Sequence, residues 1–279
     1  MSGCKKVKWR KSAVFVTWHG KCKMVLARLA IRYPIMENTS YIALSRQNAL
    51  WRQLDVIAGN MANANTPGYK SEQMMFREYL MDTRSSDRAT GKKLSYVQDI
   101  GLLRDTREGA FTKTDNPLDL ALHNDGFFQV ETEAGMRYTR NGHFRLDEGG
   151  MLVNSQGAAV MDTGDNPIIL APNETRITVT PDGSVSTENG IVAKIKVVRF
   201  ANDQDMRKIG DSLYETTQDP DTIARPSIVQ GMMEESNVQP VVEITKMTEV
   251  LRQYQALQNI LEKEHERQMK AMEVFVSRN

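Results

Sequence analysis

Few side chains in this sequence are placed to do covalent or metal chemistry. The two cysteines, Cys4 and Cys22, lie near the start, so everything beyond them lacks a thiol nucleophile, a disulfide or a thiolate metal site. His123 and His143 stand twenty residues apart beside turn sequences, with no further ligands at zinc-site spacing. They read as surface or turn histidines. His265 sits in the charged run Glu264-His265-Glu266-Arg267, the signature of a solvated helix face. Asp162, Asp165 and Asn166 crowd three oxygen-bearing side chains together, yet the pattern lacks the spaced ligands of a calcium loop. Asp125-Gly126 and Asp182-Gly183 are turn chemistry, not acid–base pairs. There is no GxGxxG, phosphate loop or GxSxG. The expectation is a chain with no catalytic residues, no metal and no cofactor, hence no enzyme.

The 279 residues are enough for one large domain or two small ones. A charged fraction of 25% and a hydrophobic fraction of 40% fit a globular protein rather than a disordered one. No run approaches the eighteen apolar residues of a membrane-spanning helix, so membrane insertion is not expected.

Charge is unevenly placed. Residues 1–35 hold nine Lys or Arg and no acid, and two of the three tryptophans. The remaining residues keep all 35 acids and 27 of the 36 bases, a balance of −8. Ser12 to Gly20 is too short and too interrupted for a signal-peptide core. The segment reads as a basic extension from a start assigned too far upstream, with Met36 as the expected first residue. A basic arm for nucleic acid or anionic lipid is the other reading. The acidity of the rest of the chain argues against it, and no nucleic-acid partner is expected.

Residues 40–64 predict a helix within an N-terminal segment 36–70. Ala43, Leu50, Leu54, Ile57 and Met61, with Gln47 in one slot, recur at steps of three or four and make a seam along one face. Asn63-Ala64-Asn65-Thr66-Pro67-Gly68-Tyr69 then stops it. Thr66 is pushed out of helical geometry by Pro67, and Pro67-Gly68 suits the centre of a type II turn.

Residues 71–115 read as an irregular linker, with polar Asp82 to Lys93 as a loop. Residues 116–200 read as a β domain of short alternating runs punctuated by Asn141-Gly142, Glu148-Gly149-Gly150 and Pro181-Asp182-Gly183. In Val192 to Phe200, buried Ala193, Ile195 and Val197 are expected to alternate with wet Lys194 and Lys196. Residues 201–236 read as an irregular connector.

A second helix is expected over 238–275, in a C-terminal segment 237–279, with Asn237 as N-cap and Pro240 in the first turn. Its seam is Ile244, Met247, Leu251, Tyr254 and Leu261, with Gln258 in one slot and a second stripe at Val250 and Leu257. Neither helix can bury its stripe alone, so each needs the other or a neighbouring subunit. The fold class is α+β: terminal helices pairing as a coiled coil, with a central domain of short antiparallel strands.

Three blocks resemble the flagellar rod, hook and hook-associated axial proteins. The first is Ala43-Leu44-Ser45-Arg46-Gln47 with Leu54-Asp55-Val56-Ile57-Ala58-Gly59-Asn60-Met61 and on to Lys70. The second is Asn116-Pro117-Leu118-Asp119-Leu120-Ala121, Gly126-Phe127-Phe128-Gln129-Val130, and Tyr138-Thr139-Arg140-Asn141-Gly142. The third is Gln230-Gly231 and Glu235-Ser236-Asn237-Val238. They stand in family order and span nearly all of residues 36–279. The opening Met36-Glu37-Asn38 and Tyr41 to Gln47 look most like proximal-rod members. The family usually has two asparagines where this chain has Gly59-Asn60.

This resemblance implies a structural subunit of the proximal rod of the bacterial flagellar basal body, polymerising through its terminal helices as part of the axial drive shaft. It implies an assembly interface at Leu50, Leu54, Ile57, Met61, Ile244, Met247, Leu251, Tyr254 and Leu261. It also implies a family-motif turn at Asn60, Asn63, Asn65, Thr66, Gly68 and Tyr69. The implied partners are other rod subunits, copies of itself and the flagellar type III export apparatus, with export lacking a cleaved signal peptide and placement in the periplasmic rod. A distal rod subunit, or an extracytoplasmic binding or enzymatic domain on a helical oligomerisation stalk, are the alternatives.

Overall fold

Among the described residues two α-helices bracket the strands, because these two segments carry long three-to-four periodicity. Helix α1 runs Met36–Ala62 and helix α2 runs Pro240–Val276. The computed structural model describes residues 36–82, 93–171 and 176–277. The basic extension 1–35 and most of the loop after Asp82 lie outside the described residues.

The strands follow in chain order. β1 (Glu72–Asp82) and β2 (Lys93–Arg104) come first, then β3 (Phe111–Lys113) and β4 (Leu120–His123). Next are β5 (Phe127–Thr132), β6 (Gly135–Thr139), β7 (Phe144–Leu146), β8 (Leu152–Asn154) and β9 (Ala159–Val160). β10 (Thr178–Val179), β11 (Ser184–Thr187), β12 (Gly190–Lys194) and β13 (Val197–Arg199) continue. β14 (Arg207–Gly210), β15 (Leu213–Glu215), β16 (Asp221–Thr222), β17 (Ser227–Gln230) and β18 (Met232–Glu234) complete the set.

The main sheet has the order β14-β15-β6-β5-β9-β8-β7, with β13 beside β5 and β16 beside β13. All its pairings are antiparallel. One core gathers Leu120, Leu122, Phe128, Val130, Phe144 and Ile195 among others. A second packs Phe127, Tyr138, Val198, Phe200, Met206 and Tyr214. The architecture is thus α+β, two terminal helices around a central region of antiparallel strands.

Three expectations need correction. The linker 71–115 contains the β1–β2 hairpin, in register from Glu72–Arg104 to Asp82–Lys93 apart from a bulge between Met75 and Phe76. Among its described side chains Met75, Phe76, Leu102 and Leu103 are all exposed, so these positions give no buried-and-wet alternation to read. The connector 201–236 is also stranded: β15 returns to β6, β16 to β13, β17 to β4 and β18 to β3. Strands of two to four residues are too short to show alternation. Finally, Val192 to Phe200 is two strands rather than one. Val197 faces the first core and Val198 the second, and Lys196 between the elements is buried, its Nζ 2.6 Å from Asp165 Oδ1.

Candidate functional site

The helices pack against each other. Ala43, Leu50 and Ile57 of α1 are buried with Val250 and Leu257 of α2, and Leu54, Met247, Tyr254 and Leu261 close the edges. The two run antiparallel: Asn60 reaches Glu243 while Gln47 reaches Tyr254. The slots that sequence left polar are explained at one point. Tyr254 Oη accepts from Gln47 Nε2 at 2.9 Å, Trp51 Nε1 at 3.2 Å and Gln258 Nε2 at 3.0 Å. Those donors, Gln47 first, lower the phenol's pKa. The Trp51 ring meets Tyr254 edge-on at 5.7 Å.

The expected α2 seam is therefore displaced. Met247, Tyr254 and Leu261 are common to two stripes, and the inner one continues through Val250 and Leu257. Both stripes step by threes and fours, so periodicity could not choose between them. Ile244 and Leu251 stay 50% and 43% exposed. They lie on the outer surface of the pair, as do Ile260 on α2 and Tyr41, Leu44 and Trp51 on α1. Met61 is half-buried near the end of α1.

Below the helices the three sequence blocks meet in a buried polar joint. Asn60 is 1% exposed. Its Nδ2 donates to Glu72 O, and its Oδ1 accepts from Glu72 N and Tyr69 Oη. Asn63 Nδ2 donates to Gly59 O, and Thr66 Oγ1 to Asn63 Oδ1. Tyr69 N donates to Thr66 O, and Gly68 has φ +66°, as the third position of a type II turn requires. Asn65, with Thr66 and Pro67, lines a polar cleft that His143 and Lys208 also border. Asn237 does not cap α2, whose N-cap Gln239 makes no side-chain bond. Instead Asn237 Oδ1 accepts from Ser71 N, and its Nδ2 donates to Asp105 O and Arg107 O.

Glu234 is the centre of the joint, 2% exposed at the end of β18. Its Oε1 accepts from Lys70 Nζ at 2.5 Å and Gly109 N at 3.1 Å, and its Oε2 from Arg140 Nε at 2.7 Å. Its backbone oxygen accepts from Gly68 N. Arg140 then donates to Gly126 O and Leu122 O. Burial alone would raise the Glu234 pKa, but the charges of Arg140 and Lys70 hold it below the ordinary value. Burial lowers Lys70, opposed by Glu234. Sequence reasoning quoted Lys70 and Arg140 in the blocks but missed Glu234. Nothing in a single sequence separates it from its exposed neighbour Glu235.

The other candidates are structural. His143 Nδ1 lies 2.7 Å from Asp119 Oδ1, and the His123 ring lies 4.3 Å from that of Phe111, tilted by 52°. Asp162 Oδ1 accepts from Gly164 N and Asn166 N, closing a turn.

Comparison with known sequences agrees with this arrangement. Residues 41–70 match the family described as flagella basal body rod protein, and residues 121–187 the flagellar hook protein FlgE/F/G D1 domain. Residues 229–274 match the flagellar basal body rod FlgEFG protein C-terminal family. The chain is 40% identical over 241 residues to the flagellar basal-body rod protein FlgF of Caulobacter vibrioides, covering 85% of this chain and 98% of that one. It is 33% identical over 223 residues to FlgF of Mesorhizobium japonicum, covering 79% and 90%. Against FlgG of Bacillus subtilis the figure is 29% over 251 residues, covering 81% and 94%. The chain belongs to the flagellar basal-body rod protein family. It is a structural subunit of the flagellar rod, not an enzyme, and its likeness to FlgF fits the proximal rod. Among the described residues no helix is long and apolar enough to cross a membrane.

Proposed function

We propose that this subunit polymerises in the proximal rod through the outer surface of its helical pair, with α1 and α2 joined as a coiled coil. Its partners are copies of itself and other rod subunits. It reaches the periplasmic part of the rod through the flagellar type III export apparatus without a cleaved signal peptide. The observation that carries the reading is the pair of apolar surfaces on one element. Leu50, Leu54, Ile57, Met247, Tyr254 and Leu261 close the hairpin, while Ile244 and Leu251 face outward with Trp51 and Leu44. An outward apolar row on a helical pair is a binding surface without a partner in the single chain. Repeated head-to-tail around an axis, such a contact builds a tube rather than a closed ring.

The test separates the two surfaces. Basal bodies are isolated from cells whose only copy carries Ile244→Asp with Leu251→Asp, and peptides of the chain are sought by mass spectrometry. The expected result is loss of the chain from basal bodies while the purified variant keeps wild-type helix content. Normal incorporation and swimming would overturn the outward surface as the interface.

A further inference from the structure

We propose that Glu234 is the positioning residue of a mechanical joint. It locks the two chain segments that leave the helical pair to the β domain, so that rotation of the helices passes to the β domain without slack. This rests on the reading of the chain as a turning rod subunit.

Two segments cross from helices to strands: the motif turn after α1 and the stretch between β18 and α2. Backbone bonds tie these to each other, Gly68 N to Glu234 O and Asn237 N to Tyr69 O. Such bonds hold strap to strap but not strap to sheet. The carboxylate of Glu234 makes that second connection. It takes Lys70 from the first segment on one oxygen and Arg140 from the β domain on the other. Arg140 is in turn fixed by the carbonyls of Gly126 and Leu122. The approach is tight: a Cβ on Gly68 would lie 2.6 Å from the Arg140 carbonyl carbon, and one on Gly109 would lie 1.9 Å from Glu235 O.

The chemistry suits a joint rather than a core. Apolar residues of equal volume would stabilise the site as well or better, whereas an ion triad fixes direction at each nitrogen. With side-chain exposures of 1% for Glu234, 6% for Lys70 and 4% for Arg140, opening it strands two cations away from water. The joint is therefore closed or broken, with little between.

Amide hydrogen exchange on the full chain tests this. Glu234→Gln is expected to speed exchange at Gly68, Gly109 and Asn237 by about tenfold or more, while Met161 and Ile168, whose amides bond Gln129 O and Val160 O of the main sheet, stay within about twofold of wild type. Unchanged exchange at the joint would overturn the proposal. So would equal acceleration throughout the sheet, which would make Glu234 a contributor to overall stability only. If the Gln variant does not fold, Arg140→Lys keeps the charge but loses the bonds to Gly126 and Leu122, and the same pattern is expected. The measurement is blind to incorporation. Wild-type chain missing from basal bodies removes the rod role, and unchanged exchange removes the joint.

Discussion

Gln47 and Tyr254, 207 residues apart in sequence, share a hydrogen bond of 2.9 Å across the helical pair. Both occupy the seam, and Trp51 and Gln258 donate to the same phenol oxygen. Tyr254→Phe keeps the ring that Trp51 meets edge-on but removes the acceptor from three N–H donors. Half-buried Gln47 then loses its partner, which is costlier than never having one. The expected outcome is a lower melting temperature followed at 222 nm, with the fold retained. Melting identical to wild type would show that water replaces the phenol without cost.

The inner and outer surfaces of the pair should respond differently to truncation. Leu50 is 4% exposed against Val250 and Leu257, so Leu50→Ala leaves a cavity worth about 2–5 kcal/mol. Leu44, six residues earlier on α1 and 51% exposed, should change stability by no more than about 0.5 kcal/mol on the same substitution. Urea denaturation of both variants checks the contrast, and equal costs would mean the pair opens in solution.

The helices were legible in the sequence because the seam repeats over many turns. The orientation of α2 was not, since Ile244–Leu251 and Val250–Leu257 are equally periodic partners for Met247 and Tyr254. The motif turn was legible down to Gly68, because a proline followed by a residue at positive φ has few other uses. Its purpose was hidden. Asn60, Lys70, Arg140, Glu234 and Asn237 come from distant segments, and an asparagine that bonds Ser71 N looks in sequence like a helix cap. The strands β15 to β18 stayed invisible because partners far away, not local alternation, define them, and β14 is a short hairpin arm on β15.

Two glycines near that turn predict opposite effects. A Cβ on Gly59 meets nothing within 4 Å, and the residue lies in the last turns of α1. Gly59→Ala should therefore stabilise by about 0.5–1 kcal/mol through helix propensity and chain entropy. Gly68→Ala must hold φ +66° against the Arg140 backbone, at about 1–2 kcal/mol from handedness alone and more from the clash. Thermal melts of the two variants should move in opposite directions. A destabilised Gly59→Ala would show that the flexibility at that helix end is needed in the folded chain.

Acid should act on the joint through Glu234. Its folded pKa is depressed, since Arg140 and Lys70 outweigh burial, so its contribution is fully present above the ordinary carboxylate value of 4.5. It is lost as pH falls through the lower folded value. Lys70 works the other way: burial depresses its pKa, so its charged form costs stability at every pH below the folded value. Lowering pH thus removes the anion while both cations stay charged. Wild type should lose stability as pH falls below the ordinary carboxylate value of 4.5 and on through the lower folded value. Glu234→Gln, already less stable at neutral pH, should show a flatter profile there. Guanidinium unfolding at a series of pH values separates the two curves. Parallel profiles would mean that other carboxylates carry the acid sensitivity and that Glu234 keeps its proton state through the transition.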